Sequence, residues 1–270
     1  MSMKNLTMSK VRVCLLLSLF CMSLSICAQS KIKIAHMNLG QLSMGEKGHT
    51  IISKAEREDK INRFRQLFDE IGADIFCFCE YAPYFSLNAN QKEDYNDKTE
   101  KVILTDYPFF ARNERSFKNC NGIASKVYRL LNAKEELYSK RKGKRGYLVA
   151  DIEINGKNVK IVETHFDILK YKDCWDSQLN ELISSFENEK YVIICGDFNS
   201  GRARDYIKFV EHGYKLANHG IYGNLITFPT KKGGWGLDNI LCKGFSILNV
   251  QVYKTDLSDH YAIECDLEIQ

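Results

Sequence analysis

Short apolar runs of strand length, rich in β-branched and aromatic residues, constrain this chain more than any other feature. They occupy residues 32–39, 74–79, 122–126, 147–154, 159–164, 191–195, 237–242, 250–253 and 261–269. Runs 147–154 and 159–164 are joined through Asn155-Gly156, the strongest hairpin signal present. Helical periodicity is rarer. In 54–71, Ile61, Phe64, Leu67, Phe68 and Ile71 make one apolar stripe, and Gly72 follows as a stop. Leu179, Leu182, Ile183 and Phe186 repeat the pattern over 175–186, and a shorter helix is expected around 205–212. Many strands in hairpin order with few helices imply an α+β layered fold, two packed sheets with helices outside, rather than a doubly wound parallel sheet.

Residues 1–28 read as an export signal. Lys4, Lys10 and Arg12 precede the apolar run 13–19, and the small residues Ser23, Ser25 and Ala28 follow. The run is broken by serines and falls short of the ~20 apolar residues that span a bilayer. Cleavage after Ala28 is expected, without a lipid on Cys27, because Ile26 is bulkier than the small residue wanted before a lipidated cysteine. The remaining 29–270 shows no linker and no repeat and reads as one domain, periplasmic or extracellular. The three basic residues lost take the formal net charge from +4 to +1, so bulk charge demands no polyanionic partner. Cys77, Cys79, Cys195, Cys242 and Cys265 lie in apolar runs and read as small buried hydrophobes. Cys120 and Cys174, in polar segments, are the one pair considered for a bridge.

The functional signal stands at the ends of the strands. One run carries Asn38, another stops at Glu80, a third runs into Thr164-His165, and a fourth into Gly196-Asp197-Phe198-Asn199. Residues 235–237 lead to Asp238-Asn239, and Leu257 to Ser258-Asp259-His260. Singly, each has a bland reading as a turn residue or a solvated end. Together they are harder to dismiss, since burying several unpaired carboxylates costs several kcal/mol each. Were the strands side by side, these groups would meet on one sheet edge.

Cys195-Gly-Asp-Phe-Asn199 and Ser258-Asp-His260 carry a resemblance to the endonuclease/exonuclease/phosphatase superfamily, which includes pancreatic-type deoxyribonucleases, abasic-site endonucleases, sphingomyelinases and inositol-polyphosphate phosphatases. Glu163-Thr-His165 and Leu237-Asp-Asn239 support it, with weaker matches at Met37-Asn-Leu39 and Cys79-Glu80. Tyr81 and Asn239 depart from the commoner small or polar residue and tyrosine, which leaves the substrate subgroup open.

The resemblance implies a four-layer α/β/β/α sandwich with two mixed sheets packed face to face. It also implies a hydrolase that cleaves a phosphoester with water and a hard divalent ion, Mg²⁺ or Mn²⁺; oxygen ligands suit such an ion, and zinc-type Cys/His spacing is absent. By the same resemblance Glu80 is the principal metal ligand, with Asn38 and Asp259 near the ion or its waters. Asp197 and Asn199 position water and phosphate, and His260 pairs with Asp238. His165 assists the phosphate or leaving group, and Arg145 contacts the phosphate. The general base is left open between Asp197 and His260. A nuclease is the leading expectation, because Lys140 to Arg145, Lys231-Lys232, Arg202 and Arg204 can flank a phosphate backbone. A sphingomyelinase-like or phosphomonoesterase activity is the alternative. A catalytically dead binding module of the same fold is disfavoured because Glu80, Asp197, Asn199, Asp238 and His260 are all present. A monomer without an obligatory protein partner is expected.

Overall fold

The computed structural model describes residues 30–42, 54–82, 99–113 and 120–270, so the expected signal at 1–28 lies outside the described residues. The described chain opens with β1 (Lys31–Asn38), a 3-10 turn (Gly40–Leu42), α1 (Lys54–Ile71) and β2 (Ile75–Tyr81). α2 (Thr99–Ile103), β3 (Phe109–Arg112), β4 (Cys120–Ser125) and β5 (Leu131–Leu137) follow. Next come β6 (Gly146–Ile154), β7 (Lys157–His165), a 3-10 turn (Leu169–Tyr171), α3 (Lys172–Ser185) and β8 (Val192–Asp197). A 3-10 turn (Ala203–Tyr206) leads into α4 (Ile207–Glu211), β9 (Lys215–Leu216), β10 (Phe228–Thr230) and β11 (Gly233–Trp235). β12 (Asp238–Lys243), β13 (Phe245–Tyr253) and β14 (Ala262–Ile269) close it.

The strands form two six-stranded sheets, ordered β13-β14-β1-β2-β4-β3 and β5-β6-β7-β8-β12-β9, while β10 and β11 make a separate ribbon. Each sheet contains one parallel pair, β1 with β2 and β7 with β8, among antiparallel neighbours. Parallel neighbours need a crossover, and α1 and α3 supply it. The Asn155-Gly156 turn has both residues at positive φ, 51° and 72°, which fits the two-residue hairpin read from the sequence.

Alternation along the strands sorts side chains into layers. Ile32, Ile34, Ile75 and Cys77 of the first sheet face Ile161, Ile193, Cys195 and Ile240 of the second. The opposite parity of the first sheet, Phe76 and Phe78, packs on Phe64 and Phe68 of α1, with Phe68 and Phe76 rings 4.8 Å apart. Val162, Val192 and Ile194 likewise meet Trp175, Leu179 and Leu182 of α3. The result is the expected α/β/β/α sandwich.

β5 and β9 escape a sequence reading because one is a largely exposed strand and the other only two residues long. All seven cysteines among the described residues are free and buried. The Cys120–Cys174 bridge considered from sequence is therefore not formed. Cys120 belongs to the core beneath α1, and Cys174 sits on α3 over the other sheet. No helix among the described residues is long and apolar enough to cross a membrane.

Candidate active site

In a parallel pair both carboxyl ends reach the same edge, and here each pair ends in polar groups. β1 ends at Asn38, paired with Cys79 beside Glu80. β7 and β8 end in register at His165 and Asp197. Asp238 lies opposite Asp197, and Gly146, just after Arg145, lies opposite His165. The sequence reading is corrected twice. Asp238 opens β12, the strand read at 237–242, and so stands at its beginning instead of closing the segment 235–237. The polar groups also come from both sheets, meeting where the sheets face each other rather than on one sheet edge.

Backbone distortion marks two of these positions. Glu80 has φ 47°, inside a register shift between Phe78 and Tyr81 where β2 pairs with β4, and Asn199 has φ 51°. Glu80 is strained in the left-handed region, which asparagine tolerates better, and a bulge re-aims a side chain.

Glu80, Arg145, His165, Asp197, Asn199, Asp259 and His260 line one open cleft of about 510 Å³. Asn38 and Asp238 stand behind them, so every site residue read from the sequence converges here. Asn38 Nδ2 donates to Asp197 Oδ2 at 3.1 Å, and its Oδ1 accepts from the Gly40 N–H at 2.9 Å. With both ends of its amide engaged, Asn38 orients Asp197. The other Asp197 oxygen accepts from the Asn199 N–H at 2.8 Å. His165 Nε2 lies 3.5 Å from Asp197 Oδ2 and 4.0 Å from Glu80 Oε1. His260 Nδ1 lies 2.8 Å from Asp238 Oδ2, and its Nε2 lies 3.9 Å from Asp197 Oδ2.

Electrostatics divides these groups by role. Burial alone lowers the His260 pKa, but Asp238, then Asp197 and Asp259, raise it to about 9. Burial and the Asp238 charge lift Asp197 to about 6. Asp238 is held well below the usual carboxylate range, because His260 and His36 outweigh the penalty of its burial. His165 is depressed by burial and by Arg145, which leaves it a neutral imidazole at pH 7.

Four neighbours have no role in the sequence reading, although Glu163 stands in its Glu163-Thr-His165 motif. His36 Nδ1 lies 3.1 Å from Glu163 Oε2 and its Nε2 3.1 Å from Asp238 Oδ1, all three side chains being fully buried. His36 precedes Asn38 by two and Glu163 precedes His165 by two. Period-two alternation puts each on its partner's face, and that was the available signal. Asp167 sits 3.7 Å from Arg145 Nε and accepts from the Lys142 N–H and Gln178 Nε2. Phe228 of the ribbon packs on His260, with ring centroids 4.9 Å apart.

Two groups among the described residues bring candidate metal-ligand atoms within 4.8 Å of one another: Asp197, Asp238 and His260, and His36, Cys79 and Glu163. In the second group both His36 nitrogens already face carboxylates, which leaves no free lone pair for a cation. In the first group Asp238 and His260 also pair with each other, but it borders the cleft into which Asp197, Glu80 and Asp259 bring oxygen donors, a set that fits a hard divalent ion.

The model of the Endonuclease/Exonuclease/phosphatase family matches residues 44–260. No curated protein matches significantly. Among solved structures, D. rerio TDP2 complexed with single strand DNA product is similar at 14% identity and TM-score 0.68, covering 89% of this chain and 100% of that one. The human Nocturnin catalytic domain with bound sulfate anion gives 13% and 0.62, covering 90% and 96%. A Bacteroides thetaiotaomicron protein described by the same family name gives 14% and 0.63, covering 89% and 98%. At such identities these likenesses establish the fold.

Proposed function

Because the chain belongs to the endonuclease/exonuclease/phosphatase family and is one of its hydrolases, we propose that it is an exported Mg²⁺- or Mn²⁺-dependent phosphodiesterase acting on nucleic acid. The observation that carries the chemistry is the position of Asp197. One of its oxygens lies 3.5 Å from His165 Nε2 and 3.9 Å from His260 Nε2, on the wall of a cleft that Glu80 and Asp259 share.

Glu80 and Asp259 would hold the ion, which when bound neutralises charge on the phosphoryl oxygens. Asp197, ionised above about pH 6 and held by Asn38 and Asn199, takes the proton of the attacking water. His260, protonated to about pH 9 by its pairing with Asp238, donates to a phosphoryl oxygen. Arg145 adds a fixed positive charge, and neutral His165 offers a hydrogen bond without repelling the arginine. This assigns the base role to Asp197.

The nucleic-acid reading is supported at the rim. Tyr171, 37% exposed, stands one 3-10 turn beyond the cleft residue Ile168, with Lys142 and Lys170 at 5.4 and 5.9 Å from its ring centroid. Cations around an aromatic face suit a single strand, whose phosphates and bases need both. The D. rerio TDP2 structure, described with a single-strand DNA product, supports the same class. The exported protein should be assayed with Mg²⁺ against single-stranded DNA, plasmid, RNA, sphingomyelin and inositol phosphates. Cleavage of nucleic acid is expected. Cleavage confined to sphingomyelin or a monoester overturns the nuclease reading, and failure on every phosphoester overturns the proposed chemistry.

A further inference from the structure

We propose that His36 and Glu163 are positioning residues for the reaction: they hold the Asp238 carboxylate that orients His260, making a four-residue chain Glu163, His36, Asp238, His260. The inference rests on the reading above in taking His260 to act on the phosphate.

The inner half of the chain crosses between the sheets. His36 projects from β1 and reaches Glu163 on β7 and Asp238 on β12, the two strands that flank β8. Glu163 sits at the end of an apolar strand face that includes Val159 and Ile161. Its side chain is fully buried, one oxygen facing His36 and the other without a hydrogen-bond partner among the described residues. Such a carboxylate is a poor source of stability, since an apolar side chain in that layer avoids the desolvation cost. Its side-chain hydrogen bond gives its purpose: Oε2 accepts from His36 Nδ1–H and fixes the plane of the ring.

The fixed ring then acts on Asp238. The terminal torsion of an aspartate is broad, so a single hydrogen bond from His260 leaves the carboxylate plane loosely defined. His36 Nε2–H engages Oδ1 at 3.1 Å while His260 Nδ1–H engages Oδ2 at 2.8 Å, and Thr227 Oγ1 accepts from the Asp238 N–H at 3.0 Å. With both oxygens and the backbone engaged, Asp238 has one orientation. That orientation keeps the proton on His260 Nδ1 and turns Nε2 to the cleft.

Amide side chains separate the two halves of the ring's role. His36→Gln leaves a donor near the Nε2 position, toward Asp238, whereas His36→Asn leaves one near Nδ1, toward Glu163, and withdraws it from Asp238. In the full chain, His36→Asn and Glu163→Leu are expected to lower kcat about 10- to 100-fold with KM within about 3-fold. His36→Gln and Glu163→Gln should stay within about 3-fold of the parent in both, and on a His260→Ala background all four substitutions should lose their effect. ¹⁵N-histidine spectra without substrate give an independent reading. The hydrogen-bonded Nδ1 proton of His260 should persist in His36→Gln and Glu163→Gln and be lost in the other two, with thermal melts confirming that each variant is folded. Equal losses in His36→Gln and His36→Asn, losses that multiply with His260→Ala, or an unchanged His260 proton in folded His36→Asn and Glu163→Leu overturn the proposal. A parent protein that cleaves no phosphoester removes the functional reading instead, and the spectra still decide whether His36 and Glu163 hold Asp238.

Discussion

A buried imidazole keeps its proton only if fixed charge outweighs lost hydration, and His260 meets that condition because Asp238 cannot readily be neutralised. Its pKa of about 9, beside about 6 for Asp197, sets two limbs for the rate. Turnover needs Asp197 ionised, so kcat should fall as pH drops below about 6. It also needs His260 charged, so kcat should fall again as pH rises through about 9. A pH–rate profile measured with saturating metal checks both limbs. A rate that climbs through pH 9 to a plateau would make neutral His260 the base and refute the assignment to Asp197. Asp238→Asn keeps size but loses charge, and both it and His260→Ala should cost about 10²-fold or more in kcat. Because the two act as a unit, the double variant should be little worse than either single. Losses that multiply would mean that the residues act independently.

At the level of elements, the site depends on how closely β7 and β8 approach beside it. Gly196 precedes Asp197 and pairs with Thr164, and a Cβ built there would meet the Thr164 carbonyl oxygen at 2.5 Å. That oxygen belongs to a strand backbone and cannot move aside cheaply. Gly196→Ala should therefore destabilise the fold by about 1–3 kcal/mol. At about 2–4 °C of melting temperature per kcal/mol for a domain of this size, the shift is readily seen. The displaced β8 end should lower kcat as well, by moving Asp197 relative to His165. A melting temperature equal to that of the parent would show that β7 and β8 separate at little cost. Glu80 makes the complementary case, since its φ of 47° is carried by the bulge in β2. Straightening that bulge would rotate the carboxylate away from the cleft.

For the whole molecule, the packed layers bury all seven cysteines of the described residues, and the two sheets bring their polar ends to one cleft. Burial pushes the thiols of Cys79, Cys195 and Cys265 well above their ordinary value, which keeps them from the reactive thiolate. Native protein should accordingly resist a thiol reagent, with the cysteines of 31–270 reacting only after unfolding. Rapid native labelling of any of them would contradict this packing. Chelation should abolish turnover and Mg²⁺ or Mn²⁺ restore it, and full activity in a demonstrably metal-free preparation would remove the metal from the mechanism. Export as proposed should leave a mature protein whose intact mass corresponds to a start after Ala28, and a lipid on Cys27 would refute that reading.

Local sequence determined the α1 and α3 stripes, the Asn155-Gly156 hairpin and most of the buried strands, because each is set by residues close in the chain. It also marked Asn38, Glu80, His165, Asp197 and Asp259-His260 as polar groups at strand boundaries, since an amide, carboxylate or imidazole beside a buried run stands out locally. Which of these groups meet, and in what order, is a matter of strand pairing over long separations, and only the tertiary structure decided it. Asp238 lying opposite Asp197, Asn38 orienting Asp197, and Asp167 beside Arg145 all follow from that pairing. His36 and Glu163 are the clearest instance, since 127 residues separate them along the chain. His36 reads locally as one polar residue inside a strand and Glu163 only as a member of a motif, and their partnership exists only because one sheet packs against the other.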